Sequence, residues 1–386
     1  MDWLASLEKF GIALGLSRVR VLLRALGNPH RAYESIIVAG TNGKGSTASM
    51  LASILRASGR RTGLYTSPAL VDRREQWRVN GEMIGEEALA ECIEELRIAA
   101  CATGVTPTYF EAITIIAFLA FAKARCETAV LEVGMGGRLD ATNVVGPIAA
   151  VITPISFDHM EFLGNTLRKI ATEKAGVIHR GAVVLTSNDD EAVLEVLRRR
   201  AIRFGCPFHH VTGEHESPLA GAFQRRNAGL AVATARALGV GERAIEQGVR
   251  ETTWPGRLQR LKIAGRTIWI DGGHNPHAAH AIAPFIESDV PRPRLLVFAV
   301  MRDKDVERIA QLLFPLFDRI VTTEPLPSRS ASAASLAALA PNAMAIPCVD
   351  DALSAALLSS ERSIVVAGSL YLAGAALAFF DKIARP

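Results

Sequence analysis

Val38-Ala39-Gly40-Thr41-Asn42-Gly43-Lys44-Gly45-Ser46-Thr47 is the densest run of chemically useful residues in the chain. Glycines let a backbone approach phosphate oxygens without Cβ clashes, and the N–H groups at a helix start form an anion site. Lys44 adds a mobile positive charge, and Ser46 or Thr47 a hydroxyl for Mg2+. Gly40, Thr41, Asn42, Gly43, Lys44, Gly45, Ser46 and Thr47 therefore read as a cradle for ATP. The strict P-loop pattern is missed. It sets its first glycine five residues before the Gly-Lys pair and a hydroxyl directly after the lysine. Here Gly40 stands only three before Gly43, and Gly45 follows Lys44. The plain alternative is a glycine-rich turn between a strand and a helix.

Other polar residues stand just past apolar runs. Ser67, in Thr66-Ser67-Pro68, is a capping hydroxyl or a metal ligand. Glu111 opens the most apolar helix, where the helix dipole favours a carboxylate; the same position suits a Mg2+ ligand. The stretch from Glu132 to Asp140 is a second glycine-rich loop and could be a tight turn. Asp158-His159 sets an anion and an imidazole past a strand, either as a satisfied buried histidine or as a metal or phosphate contact. Lys174 ends a helix begun after Gly164. On a surface it would be a solvated charge, and buried near phosphate it would be functional; spacing does not decide. Ile270-Asp271-Gly272-Gly273-His274-Asn275-Pro276 repeats the logic of strand then glycine loop, with an Asx-capped turn as the alternative. Arg257 offers a guanidinium to neutralise a transferring phosphoryl group.

These residues need a scaffold. Near-continuous Val/Ile/Leu runs are expected as strands over 35–39, 62–66, 128–133, 149–153, 182–186, 267–271, 295–300, 319–323 and 363–368. Strands apolar on both faces belong to a parallel sheet with helices on each side. Right-handed crossovers then gather the following loops at one edge, where ligands bind. The expected fold class is α/β: a P-loop ATPase domain with a central, mostly parallel sheet, and a smaller C-terminal Rossmann-like α/β domain. The Pro255-Gly256 break separates them. Domains are expected over 1–254 and 258–386, with 255–257 as linker and a catalytic cleft between. Segments 112–122 and 228–238 read as helices, as does the Ala/Ser-rich stretch 328–340.

The 386 residues are 49% hydrophobic and 21% charged, a globular balance. A net charge of +4, spread along the chain, gives no case for a nucleic-acid partner. The longest apolar run, 112–122, is too short to span a bilayer, so no membrane role is expected. Cys92, Cys101, Cys126, Cys206 and Cys348 are odd in number and scattered, as reduced thiols of a cytoplasmic protein are.

Taken in order, these motifs resemble the folylpolyglutamate synthase/dihydrofolate synthase branch of the Mur-type ATP-dependent amide ligases. The resemblance extends to Gln224, Asn227, Trp254 to Leu258, Asp303-Lys304-Asp305 and Gly368-Ser369-Leu370-Tyr371. The glycine loop at Gly40 is similar to that family's own P-loop variant. The resemblance implies a two-step reaction: a pterin-linked carboxylate (dihydropteroate or folate) takes the γ-phosphoryl group of ATP, and L-glutamate's amine displaces phosphate. It implies two Mg2+ sites held by Ser46, Ser67, Glu111, His159 and a CO2-carbamylated Lys174. Lys44, Lys174, Arg257 and His274 would be catalytic. Asn227 would lie near adenine, Arg257 and His274 near phosphates, and Asp271 at the ribose or hinge. Lys304 and Ser369 would lie near the incoming glutamate, in a monomer acting on small molecules.

Two departures bear on the acceptor. Many relatives have histidine where Ala69 stands and arginine where Gln76 stands. The stretch 209–224 is also short for the family. A related ligase with another carboxylate acceptor, or a P-loop ATPase that does not ligate, are the rival readings.

Overall fold

Apolar runs become strands here because helices cover both faces of two sheets. In a computed structural model describing residues 2–11 and 13–384, the first sheet contains β1 (Glu34–Ala39), β2 (Thr62–Tyr65), β3 (Trp77–Val79), β4 (Glu82–Met83), β5 (Thr128–Glu132), β6 (Ala149–Ile152), β7 (Val183–Thr186) and β8 (Phe208–His210). Met1, Ile12, Arg385 and Pro386, which the expected domains include, lie outside the described residues. The strand order is β4-β3-β2-β5-β1-β6-β7-β8. Pairing is parallel from β2 to β8 and antiparallel for β2–β3 and β3–β4. The second sheet holds β9 (Gln259–Ile263), β10 (Arg266–Ile270), β11 (Arg294–Phe298), β12 (Arg319–Thr322), β13 (Ala343–Ala345) and β14 (Ser363–Ala367). Its order is β13-β12-β11-β14-β10-β9, parallel except for the β9–β10 hairpin. The α/β class, with a mostly parallel first sheet and a smaller second one, is the expected one.

Packing divides the described residues into two units. One comprises the chain up to Ser67 with Arg74–Pro218 and Arg225–Thr252; the other comprises Pro68–Arg73, Leu219–Gln224 and the chain from Thr253. In the first unit one apolar cluster gathers around the helix Tyr109–Lys123, and Met50, Leu51, Ile54 and Leu55 of the helix Lys44–Ala57 are buried outside it. The helix Tyr109–Lys123 is buried almost all round and opens with a reciprocal cap between Thr108 and Glu111. Trp77 Nε1 donates to Ile113 O (2.9 Å) and Tyr65 OH meets Thr114 Oγ1 (3.1 Å), which ties β2 and β3 to that helix. The second sheet carries a separate apolar cluster on each face.

All the expected strands are present, and β3, β4, β8, β9 and β13 are additions. These are short, or alternate between exposed and covered residues as β9 does, so continuous hydrophobicity does not mark them. Both antiparallel hairpins turn on left-handed pairs, Asn80-Gly81 (φ 52 and 88) and Ala264-Gly265 (φ 49 and 75), the geometry that matches strand twist. The helix expected over 328–340 is a correction. Only Ala333–Ala337 is helical, because Ser330 bridges to Met301 and Ser332 caps the helix start. The five cysteines are free thiols. Among the described residues no helix is long and apolar enough to cross a membrane.

Candidate functional site

β1 runs straight into the glycine loop, and the helix Lys44–Ala57 follows from Gly43. Gly40 has φ 138, and a Cβ there would fall on the Thr153 hydroxyl and come within 2.8 Å of its carbonyl oxygen. Gly43 has φ 84, and a Cβ would strike the Asn227 amide. Both positions therefore require glycine. The loop is pinned to the segment after β6: Thr41 N donates to Pro154 O (3.0 Å), and Thr41 Oγ1 lies 3.1 Å from both the amide and the carbonyl of Ser156. The bond from Thr47 N to Gly43 O (2.9 Å) starts the helical ladder, so the amides of 44–46 stand outside it. Thr47 Oγ1 is fully buried with no hydrogen-bond partner among the described residues. Half-buried Lys44 donates to Thr41 O at 3.1 Å. A cradle without Cβ atoms, a helix start, a lysine and an orphaned hydroxyl together fit a polyphosphate.

Lys174 is buried, at 4% exposure, and its Nζ donates to Gly40 O at 2.6 Å. Burial, reinforced by the Lys44 charge, lowers its pKa to about 7, against opposing pulls from Asp158 and Asp140. The second glycine loop positions it. Cβ atoms at Gly137 and Gly176 would collide with backbone of 173–174 and of Arg138, so the two segments touch main chain to main chain. Arg138 N donates to Glu173 O (2.8 Å) and Asn143 Nδ2 to Gly176 O (3.2 Å). Asp140 is buried in that loop, its carboxyl pushed up by desolvation against hydrogen bonds from Thr142 and Met135.

The remaining expected ligands fall in different settings. Ser67 is half-buried just past β2. His159 sits beyond β6 in a left-handed turn (φ 50), with its amide on Asp158 Oδ1 at 2.9 Å. Glu111 is 3% exposed, and its carboxylate is engaged. Arg18 Nε donates to both oxygens (3.1 and 3.0 Å), Arg18 Nη2 to one (2.8 Å), and Thr108 N caps the other (2.7 Å). Sequence reasoning gave Glu132 no role of its own. It ends β5, is buried, and pairs in register with Val38 just before the P-loop. The readable signal is a carboxylate closing an otherwise apolar central strand. Among the described residues no three His, Cys, Asp or Glu side chains gather to hold a metal.

In the second unit, Asp271 follows β10 and accepts from Leu258 N (Oδ2, 3.0 Å) and Gly273 N (Oδ1, 2.7 Å), which fixes the loop. Arg257 is half-buried and stands against Gly272, where a Cβ would lie 2.6 Å from Nη1. His274 Nδ1 meets Gly272 O (3.0 Å), and Asn275 caps the helix Pro276–Asp289. Ser369 is buried, with Tyr371 N donating to its Oγ at 3.1 Å, and Lys304 lies largely covered beside Asp303.

A strand, a glycine loop and a helix carrying its own lysine, at the carboxyl edge of a parallel sheet, define a phosphate-binding α/β protein. Residues 38–217 match the Mur ligase middle domain, and residues 256–370 match the Mur ligase glutamate ligase domain. The dihydrofolate synthase/folylpolyglutamate synthase of Mycobacterium tuberculosis is 34% identical, over 95% of this chain and 90% of its own. A Halobacterium salinarum protein named a probable bifunctional folylpolyglutamate synthase/dihydropteroate synthase is 37% identical over 96% of this chain. The chain spans only half of that relative's length (50%). The Escherichia coli FolC structure with DHPP and ADP superposes with a TM-score of 0.91 at 30% identity, covering 99% of this chain and 97% of that one. The Yersinia pestis bifunctional enzyme with AMPPNP and an Mn ion gives a TM-score of 0.88 at 28% identity, covering 98% and 97%. This chain belongs to the dihydrofolate synthase/folylpolyglutamate synthase family.

Proposed function

We propose that the chain is an ATP-dependent ligase joining L-glutamate to a pterin-linked carboxylate, converting dihydropteroate to dihydrofolate and also extending folates. The observation that carries this reading is Lys174, a buried amine bonded to the P-loop carbonyl of Gly40 beside Lys44. A carboxylate resists an amine because its leaving group is oxide. ATP supplies the γ-phosphoryl group that turns it into an acyl phosphate, from which glutamate's amine displaces phosphate. Lys44 and the helix start hold the charge of the transferring group, and Gly40 to Thr47 with Asn227 bind the nucleotide. Arg257 and His274 are assigned to phosphates, and Asp271 to holding the loop that carries His274. Lys304 and Ser369 are assigned to the glutamate.

When bound, Mg2+ neutralises phosphate charge and polarises the transferring group. Its donors in this reading, over two sites, are Ser46, Ser67, His159, Glu132 and a carbamate on Lys174. Glu111 would join only by giving up Arg18. The carbamate forms when the neutral amine adds to CO2 and releases a proton, and an amine with a pKa near 7 is largely neutral at physiological pH. The same reading has the chain working as a cytoplasmic monomer.

The test is phosphate release with ATP and Mg2+ across combinations of dihydropteroate, tetrahydrofolate and glutamate. Release that requires both a pterin and glutamate supports the proposal. Release dependent on glutamate but indifferent to both pterins points to another acceptor. Release independent of glutamate leaves only a P-loop ATPase.

A further inference from the structure

Parallel strands β12, β11 and β14 lie side by side in the second sheet, so the loops that follow them emerge at one carboxyl edge. Three arginine-rich contacts knit these loops together. Arg302 N donates to Arg329 O (3.0 Å), Arg302 Nη2 donates to Pro327 O and Ser330 O (3.1 and 3.2 Å), and Arg329 Nη1 donates to Tyr371 OH (3.1 Å). The loop after β12 is a tight turn, with Arg329 N and Ser330 N both donating to Leu326 O (2.8 and 2.7 Å). The Arg329 guanidinium also lies over the Tyr371 ring, 5.6 Å from its centroid. Tyr371 stands on the first turn of the helix Leu370–Ala384, and the buried Ser369 just before that helix accepts its amide on Oγ. Gly368, at φ 105, lets that turn close on Ala299 O, which would sit 2.5 Å from any Cβ.

Arg329 is thus an exposed cation tethered to Tyr371 by one hydrogen bond and a cation–π approach. Its Nε and Nη2 edge takes no protein acceptor among the described residues. A guanidinium tethered through Nη1 keeps an edge of two parallel N–H groups, the geometry that matches a carboxylate. Glu324, the acid on the same loop, is committed instead to the Ala333 amide at 2.7 Å. We propose that Arg329, oriented by Tyr371, is a specificity residue that binds the side-chain carboxylate of the incoming amino acid and so selects an α-amino dicarboxylate over its amide. This inference rests on the ligase reading above.

The experiment measures steady-state phosphate release with dihydropteroate as acceptor, varying glutamate, glutamine and ATP separately, for wild type, Arg329→Gln, Arg329→Lys and Tyr371→Phe. Arg329→Gln should raise the KM for glutamate about 10- to 100-fold, the loss expected for a charge-assisted pair, while the KM for ATP moves by less than about two-fold. Its preference for glutamate over glutamine should collapse. Arg329→Lys keeps the charge without the fork and should fall between. Tyr371→Phe, which removes only the hydroxyl, should raise the KM for glutamate about three-fold. Thermal melting of each variant separates a binding effect from misfolding, and the exposed position of Arg329 predicts little change. A wild-type KM for glutamate and unchanged glutamine discrimination in Arg329→Gln would overturn the assignment with the ligase reading intact. Wild-type protein that releases no phosphate in response to glutamate would overturn both.

Discussion

Replacing Lys174 by methionine separates the cost of burying an amine from its use. In the unfolded chain the amine holds its proton to about pH 10.5, and in the folded protein only to about pH 7. Between those values the unfolded state binds more protons, so wild-type stability rises with pH. Below about pH 7 the burial penalty is present in full, and it fades as pH climbs towards 10.5. Each unit in that window contributes about 1.4 kcal/mol, so moving from about pH 7 to about pH 9 should stabilise wild type by about 2 to 3 kcal/mol. Lys174→Met lacks this dependence. It instead leaves Gly40 O without its donor, at about 1 to 3 kcal/mol. At about pH 6 the variant should therefore match or exceed wild type, with the order moving towards wild type as pH rises. Urea midpoints read by a probe in the first unit, in CO2-free buffer so that the free amine is measured, supply the comparison. Parallel pH profiles for the two proteins would refute the claim that this amine is desolvated. The same variant should release no phosphate above background.

Gly43→Ala places a side chain at φ 84 against Asn227. The backbone alone costs about 1 to 2 kcal/mol, so nucleotide affinity by calorimetry should fall at least about ten-fold, and unchanged binding would show that the loop shifts freely. Glu132→Gln should raise the Mg2+ concentration needed for turnover, whereas Glu111→Gln should lower the urea midpoint and leave the Mg2+ requirement in place; the reverse pattern would return the ligand role to Glu111. Arg18→Met strands the Glu111 carboxylate, which is almost fully buried against an arginine about one-third exposed. A loss of about 1 to 3 kcal/mol is expected, and no change in denaturation midpoint would class the pair as a surface one. Intact-mass analysis under bicarbonate should show a gain of one CO2 that Lys174→Met abolishes; its persistence in the variant would place the modification elsewhere.

Much of the scaffold was legible in the order of residues. Runs such as Ile36-Ile37-Val38 in β1 and Ile364-Val365-Val366 in β14 are buried on both faces, the pattern that a short sandwiched parallel strand asks for. Gly40, Gly43 and Lys44 declared a phosphate loop because backbone approach to an anion is a local demand. The edge strands were less visible. β9 is covered on one side only, so its pattern resembles ordinary surface, and β3 is three residues long.

What the linear order could not settle is which distant groups meet. Lys174 reads equally as a solvated charge or a buried amine, and its state depends on Gly137 and Gly176 letting two backbones touch and on Gly40 O standing within 2.6 Å of Nζ. Glu111 and Glu132 are alike as carboxylates beside apolar runs. Only the packing of the helix Ser17–Ala25 brings Arg18 to the first, and only the β1–β5 register sets the second beside the P-loop. Local periodicity records which way a side chain faces, whereas charge, protonation and partner are set by what long-range pairing brings against it.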